Sequence, residues 1–301
     1  MTAPYIAQAL DSVLAQTFRD FEVIVVNDGS PDTPELERVL QPYMSNIIYV
    51  RQANSGPSHA RNTAIRQATA PLIALLDSDD FWSDGYLAAQ TKMLEENPDA
   101  DAVYSNAALF GNRNMDGKTY MDDVLPSEGE VSFLSLVDRR CNVLGPAITF
   151  RRHAVERVGL YDEGFKYGED FDLWLRLVKS GGRIVYHRDA LYHLRIRPDS
   201  LSKQTIALQD SVLRIFDKCE DRLDLTADER ECVEQARRRV RAEQSLDRGK
   251  KALFEGDITT AIRDIRAAND YYRMLKLRLV SLLMETGPAL VRFVERMRQR
   301  R

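Results

Sequence analysis

The sequence predicts an α/β domain with a mostly parallel sheet flanked by helices over about residues 1–202, followed by an all-helical module over 203–301. Three observations carry this. Short apolar, β-branched runs alternate with helical patterns through the first two-thirds. Two of those runs end in clusters of Asp, Asn, Ser and Gly, and strand signals stop past Ser202. With 301 residues, 44% of them apolar, the chain can bury one sizeable core and still build a second module.

Residues 6–16 carry a helical pattern, and residues 22–26 read as a β-branched strand. Residues 57–68 form a helix entered through Pro57, and residues 72–76 read as a buried strand. Strands follow near 102–105 and 147–150, then a helix over about 169–180 and strands near 183–187 and 190–194. In the second module the helices break near 223–226, 255–257 and 287–288, at turn-forming residues. Residues 242–272, with Gly249, Ala252, Gly256 and Ala261, are similar to a single tetratricopeptide-like hairpin.

Charge and cysteine content narrow the function. Forty-two Lys and Arg against 46 Asp and Glu give a net charge of -4, so no global basic field argues for nucleic acid. Cys141, Cys219 and Cys232 are odd in number and lack C-x-x-C spacing, which disfavours a disulfide framework or zinc site and points to a reducing cytoplasm. The first 17 residues lack a basic-then-apolar leader, and no run reaches the ~18 apolar residues of a spanning helix.

Four constellations can carry chemistry. Asp77-Ser78-Asp79-Asp80 places three carboxylates on one strand-to-loop turn, where they repel unless a cation or hydrogen-bond donors offset them. A divalent Mg²⁺ or Mn²⁺ is one answer, and an acidic cap of the following helix is the other. Asn27-Asp28-Gly29-Ser30 is a turn that, with its strand beside 72–76 in a parallel sheet, would put Asp28 and Asp77 on one ligand-binding edge. Arg61, in the first turns of the helix after Asn54-Ser55-Gly56, reads as a diphosphate contact or a surface ion-pair residue. Glu169 and Asp170 open a helix, where the dipole favours the anion; they read as a base or as plain caps. His187 and His193 can reach a metal or diphosphate or pack, and Trp82 and Trp174 read as core or acceptor-wall residues.

The ordered series from Leu10 to Thr17 and Phe21 to Ser30, then Asn54-Ser55-Gly56, Ala60-Arg61-Asn62, Leu76 to Asp80 and Gly168-Glu169-Asp170 resembles the inverting family 2 glycosyltransferases of GT-A nucleotide-sugar fold, over about residues 4–202. The resemblance implies that Asp28 contacts the nucleoside, that Arg61 supports the nucleotide, and that Asp77 and Asp79 form a D-x-D site with Asp79 as metal ligand. It further implies that Asp170 is the catalytic base. Glu169, Trp174 and His193 are candidates for the acceptor side or its loops. The donor is then a nucleotide-diphosphate sugar, with UDP as default, and the acceptor a glycan, lipid-linked or protein hydroxyl. Members usually open with a β-strand that has no counterpart ahead of residue 4, so a start internal to a longer protein is expected.

Two other readings compete. Nucleotidyl transfer would want a Gly-rich phosphate loop after the first strand, which is missing. A catalytically silent scaffold would use the helical module to bind a partner. Residues 272–301 combine apolar and basic side chains, which suits either an amphipathic helix on the inner membrane face or a helix packed on the domain.

Overall fold

The computed structural model describes residues 2–197 and 205–286, and the chain divides into two compact units, residues 1–200 and 201–301. The first opens with α1 (Ala3–Leu14), whose Ile6, Leu10 and Val13 form the buried stripe of a 3.6-residue period. There follow β1 (Ile24–Asp28), α2 (Thr33–Leu40), β2 (Ile48–Gln52), α3 (Pro57–Gln67), β3 (Leu72–Ala74), β4 (Phe81–Trp82) and α4 (Tyr86–Glu96). Then come β5 (Ala102–Phe110), α5 (Tyr120–Asp123), α6 (Phe133–Val137), β6 (Ile148–Arg151), α7 (Arg152–Arg157), α8 (Glu169–Lys179) and β7 (Ile184–Arg195).

The α/β class is as the alternation predicts, but the strands run in mixed directions. The two longest ladders, β1 with β2 and β5 with β7, are parallel. β3 with β6, β5 with β6 and β4 with β7 are antiparallel. Between β5 and β6 lie only the short helices α5 and α6, not the long helix that returns a chain for a parallel partner. The expected adjacency of the first two strands also fails: β1 pairs with β2, while β3 is the edge of the five-stranded sheet β3-β6-β5-β7-β4. The two strands predicted over 183–194 are one strand, β7, made continuous by a bulge opposite Ser105 to Ala107.

The core lies on β5 and β6, where Ala102, Val103, Tyr104, Ile148 and Phe150 are fully buried. Trp174 of α8 packs against them, tilted on Phe150 and edge-on to Tyr161. α1 is anchored to the β4–α4 turn by Gln16, which accepts from the Leu87 N–H at 2.9 Å and donates to the Ser83 carbonyl at 2.8 Å. At its other end the first free N–H groups of α1, from Thr2 and Ala3, donate to Asp32.

The second unit contains α9 (Thr205–Arg222), α10 (Ala227–Glu255), α11 (Ile258–Tyr272) and α12 (Leu275–Thr286). The Thr226 and Glu229 side chains form a reciprocal cap that starts α10, and left-handed Gly256 ends it. α10 and α11 are consecutive helices joined at Gly256 and Asp257, and α10 begins well before the stretch over 242–272. Their axes come close because Gly249 has no side chain: a Cβ there would sit 2.8 Å from Ile265 Cγ1. The break expected at 287–288 lies outside the described residues.

Candidate active site

The site is assembled at the carboxyl ends of β1 and β3 by α3 and the start of α8. Buried Asn27 shapes the first loop: its amide donates to Thr33 Oγ1 and Tyr49 Oη, both at 2.9 Å, and its carbonyl accepts from the Ser30 N–H. Gly29, at φ +62°, lets that turn approach Asn54, whose backbone nitrogen would lie 2.7 Å from any Cβ. Asp28 then reaches the loop ahead of α3. One carboxylate oxygen accepts from the Ser55 N–H at 2.9 Å and Gln52 Nε2 at 2.8 Å, the other from the Gly56 N–H at 2.8 Å.

α3 clamps the approach to α8. Ser58 Oγ donates to the Phe165 carbonyl, and buried Asn62 both donates to the Tyr161 carbonyl and accepts from the Tyr161 N–H. Between them, Arg61 bridges two segments, with Nη1 at 2.5 Å from Glu169 Oε1 and Nη2 at 3.3 Å from Asp77 Oδ1. Its guanidinium lies over the Tyr161 ring, 5.6 Å from the centroid. Burial opposes its charge, yet Asp77, Tyr161 and Glu169 together raise its pKa. Arg61 is therefore an internal cation, not a surface ion-pair residue.

The three carboxylates after β3 have separate environments. Asp80 is 3% exposed; it accepts from Tyr192 Oη and the Arg195 N–H, both at 2.7 Å, and thereby ties the loop to β7. Burial, reinforced by Asp77, pushes its carboxyl up to about 8. Asp79 is half-buried, its carboxylate 3.0 Å from Arg197 Nη1 and its carbonyl accepting from Arg195 Nε. Arg195 is held in turn by Gln8 and by the rings of Tyr5 and Phe110.

Asp170 sits one residue into α8, after left-handed Gly168. Its Oδ1 accepts from the Phe171 N–H at 2.7 Å. Burial and the neighbouring Glu169 push its carboxyl up to about 6, against the pull of Arg61. Gly145, in the loop before β6, closes over it: a Cβ there would lie 2.4 Å from Asp170 Oδ2. Half-buried Tyr120 of α5 also feels the Asp170 charge. Asn106 sets that helix by accepting from the Met121 N–H and donating to Asp122.

Asp28, Arg61, Asp77, Asp79, Glu169 and Asp170 all belong to this edge or to the loops that frame it, whereas Trp174 and His193 are packed. Trp174 is 1% exposed, so it fills the core and cannot form an acceptor wall. His193 stacks on Phe81 at 4.2 Å, its Nε2 lies 2.8 Å from Ser83 Oγ, and burial lowers its pKa. Trp82 stacks on Tyr86 in the core. Gly145, Tyr161 and Tyr192 carry no motif that sequence reading singles out; their places follow from the tertiary fold.

Among the described residues, no group of three or more His, Cys, Asp or Glu could cage a metal ion. What the site offers is the hard-oxygen pair Asp77 and Asp79, each already paired with an arginine. Such a set fits Mg²⁺ or Mn²⁺ only where phosphate oxygens complete the shell.

A family model described as glycosyl transferase family 2 matches residues 2–194. The chain belongs to glycosyl transferase family 2. Among curated members, it is 30% identical over 200 residues to an uncharacterized glycosyltransferase of Rickettsia prowazekii, an alignment covering 64% of this chain and 60% of that protein. It is 30% identical over 217 residues to the uncharacterized glycosyltransferase EpsJ of Bacillus subtilis, covering 66% and 60%. It is also 27% identical over 212 residues to the B. subtilis minor teichoic acid biosynthesis protein GgaB, covering 67% and 23%. The chain thus spans no more than about 60% of the length of these family 2 relatives. S. aureus TarS 1-349, solved in complex with UDP, shares the fold at TM-score 0.61 and 21% identity, covering 98% of this chain and 84% of that one. The mannosyltransferase PcManGT of Pyrobaculum calidifontis, solved with GDP-Man and Mn2+, does so at 0.60 and 20%, covering 96% and 76%. The GT-A fold expected for this family 2 member is therefore present. No helix among the described residues is long and apolar enough to cross a membrane.

Proposed function

We propose that this chain transfers a sugar from a nucleotide-diphosphate sugar to an acceptor hydroxyl with inversion at the anomeric carbon, in the synthesis of a cell-surface glycan. The observation that carries the reading is Asp170. A carboxyl held near 6 by burial and Glu169 is ionised at neutral pH yet more basic than an ordinary aspartate, as a general base requires. It would accept the acceptor proton as the hydroxyl oxygen attacks the face opposite the leaving diphosphate. One displacement needs one base.

Arg61 and Glu169 serve this base by position. The Arg61 bridge holds the start of α8 to the Asp77 loop, so the proton acceptor and the donor-binding loop are set by one side chain. Asp28 orders the turn at Ser55 and Gly56 and would line the nucleoside pocket. UDP is the first nucleotide to test, given the UDP bound by TarS. Asp79, with Asp77, would hold Mn²⁺ or Mg²⁺ jointly with the diphosphate; the cation, when bound, offsets charge on the leaving group. Arg197, which pairs with Asp79 and lies over the Tyr5 ring, would turn from that carboxylate toward the phosphates when the cation binds.

The test is Asp170→Asn, assayed for transfer and donor binding across nucleotide sugars. Transfer should fall by about 10²–10⁴ while donor affinity stays within about twofold. Unchanged turnover, or lost donor binding in a folded variant, would remove Asp170 from the role of base.

A further inference from the structure

We infer that α12 docks the second unit on an anionic lipid surface. The helix presents two apolar stripes. Leu277, Val280 and Met284 face inward, packed with Leu253, Ala261 and Ile265 against α10 and α11. Leu275, Leu279, Leu282 and Leu283 lie on the opposite side, at the i, i+4, i+7, i+8 spacing of a single face. They are 68%, 49%, 45% and 50% exposed. A helix packed by one face normally turns polar side chains outward, so four adjacent exposed leucines are surface left for a partner.

The charges beside the stripe identify the partner. At 100° per residue, Lys276 and Arg278 fall roughly 80° to either side of the stripe's centre, and both are exposed. The apolar face is thus railed by a cation along each edge. Exposed Arg273 joins them in the turn ahead of the helix. The one acidic side chain of α12, Glu285, is paired with Arg266 Nη2 at 2.7 Å. Tyr271 and Met274, 45% and 49% exposed, extend the apolar surface to the end of α11. Leucines flanked by basic side chains on both sides suit a helix lying in a bilayer interface, its apolar face among the acyl chains and its cations at lipid phosphates. An apolar protein groove would require no cation on either edge. The inference rests on the second unit alone and does not depend on the sugar-transfer reading.

The experiment is flotation of the full chain with vesicles of phosphatidylglycerol and phosphatidylethanolamine, and with vesicles of phosphatidylcholine, at physiological salt. Because the substituted side chains are exposed, Leu279→Glu with Leu282→Glu should leave helicity unchanged by circular dichroism. The expected result is binding to the anionic vesicles alone, reduced at least tenfold in the leucine variant. Lys276→Gln with Arg278→Gln should weaken it about fivefold per charge. No binding to anionic vesicles, or binding that survives the leucine variant, would overturn the inference. So would concentration-dependent self-association that the leucine variant abolishes without vesicle binding, which would assign the face to a second copy.

Discussion

Asp170→Asn tests the electrostatics of the site through stability as well as through rate. The carboxyl rises from 3.8 to about 6 on folding, chiefly through burial and then through Glu169. At ~1.4 kcal/mol per pKa unit this is about 3 kcal/mol of strain on the ionised form; because the side chain keeps some solvent contact, about 1–3 kcal/mol is the working range. The folded pKa lies above the unfolded one, so the native state holds the extra proton between pH 4 and 6. Wild-type stability therefore falls as pH rises through that window, and the loss is complete above about 6. Asparagine is neutral throughout and still offers an oxygen to the Phe171 N–H. Relative to wild type, the variant should be more stable by about 1–3 kcal/mol at pH 8 and nearly equal at pH 4. Urea unfolding followed by tryptophan fluorescence is the assay, since both tryptophans, Trp82 and Trp174, are buried in the first unit. No gain at pH 8, or the same gain at both pH values, would refute the reasoning.

Three further outcomes follow from the same geometry. Arg61→Gln leaves buried Glu169 without its guanidinium partner and should cost on the order of 3 kcal/mol. Because Arg61 lowers the Asp170 pKa, its loss should also move the acid limb of the pH–rate profile above pH 6, read from initial rates in overlapping buffers. Gly145→Ala pushes a methyl into Asp170 Oδ2, so transfer should drop about a hundredfold with donor affinity and circular dichroism intact. Arg197→Gln removes the cation now on Asp79; Mn²⁺ without nucleotide should then bind more tightly by electron paramagnetic resonance, and UDP more weakly by calorimetry.

What the sequence disclosed depended on how local the cause was. The Pro57 entry to α3, the start of α8 at Glu169, the helix break at 255–257 and the helical pattern of α1 are decided within a few residues, and they read directly. β2 went unread because Ile48 to Gln52 alternates weakly, and its strand character comes from pairing with β1. Strand direction was hidden for a similar reason: β4 and β6 are placed by Tyr192 and by β5, far away in sequence. At the site, the acidic cluster after β3 was visible as a group of three. Its division into a buried Asp80 and an arginine-paired Asp79 depends on Tyr192, Arg195 and Arg197, more than a hundred residues on. Gly145 had no sequence signal, because what fixes it is the Asp170 carboxylate across the fold.

The central claim is that this edge of the fold binds a nucleotide diphosphate with a shared cation at Asp79 and uses Asp170 only for proton transfer. Calorimetric titration of UDP and other nucleoside diphosphates, with and without Mn²⁺, into the chain and into Asp79→Asn and Asp170→Asn tests it most directly. The account predicts Mn²⁺-dependent binding that Asp79→Asn abolishes and Asp170→Asn leaves within about twofold. Nucleotide binding indifferent to Mn²⁺ and to Asp79, or lost on replacing Asp170 alone, would contradict it.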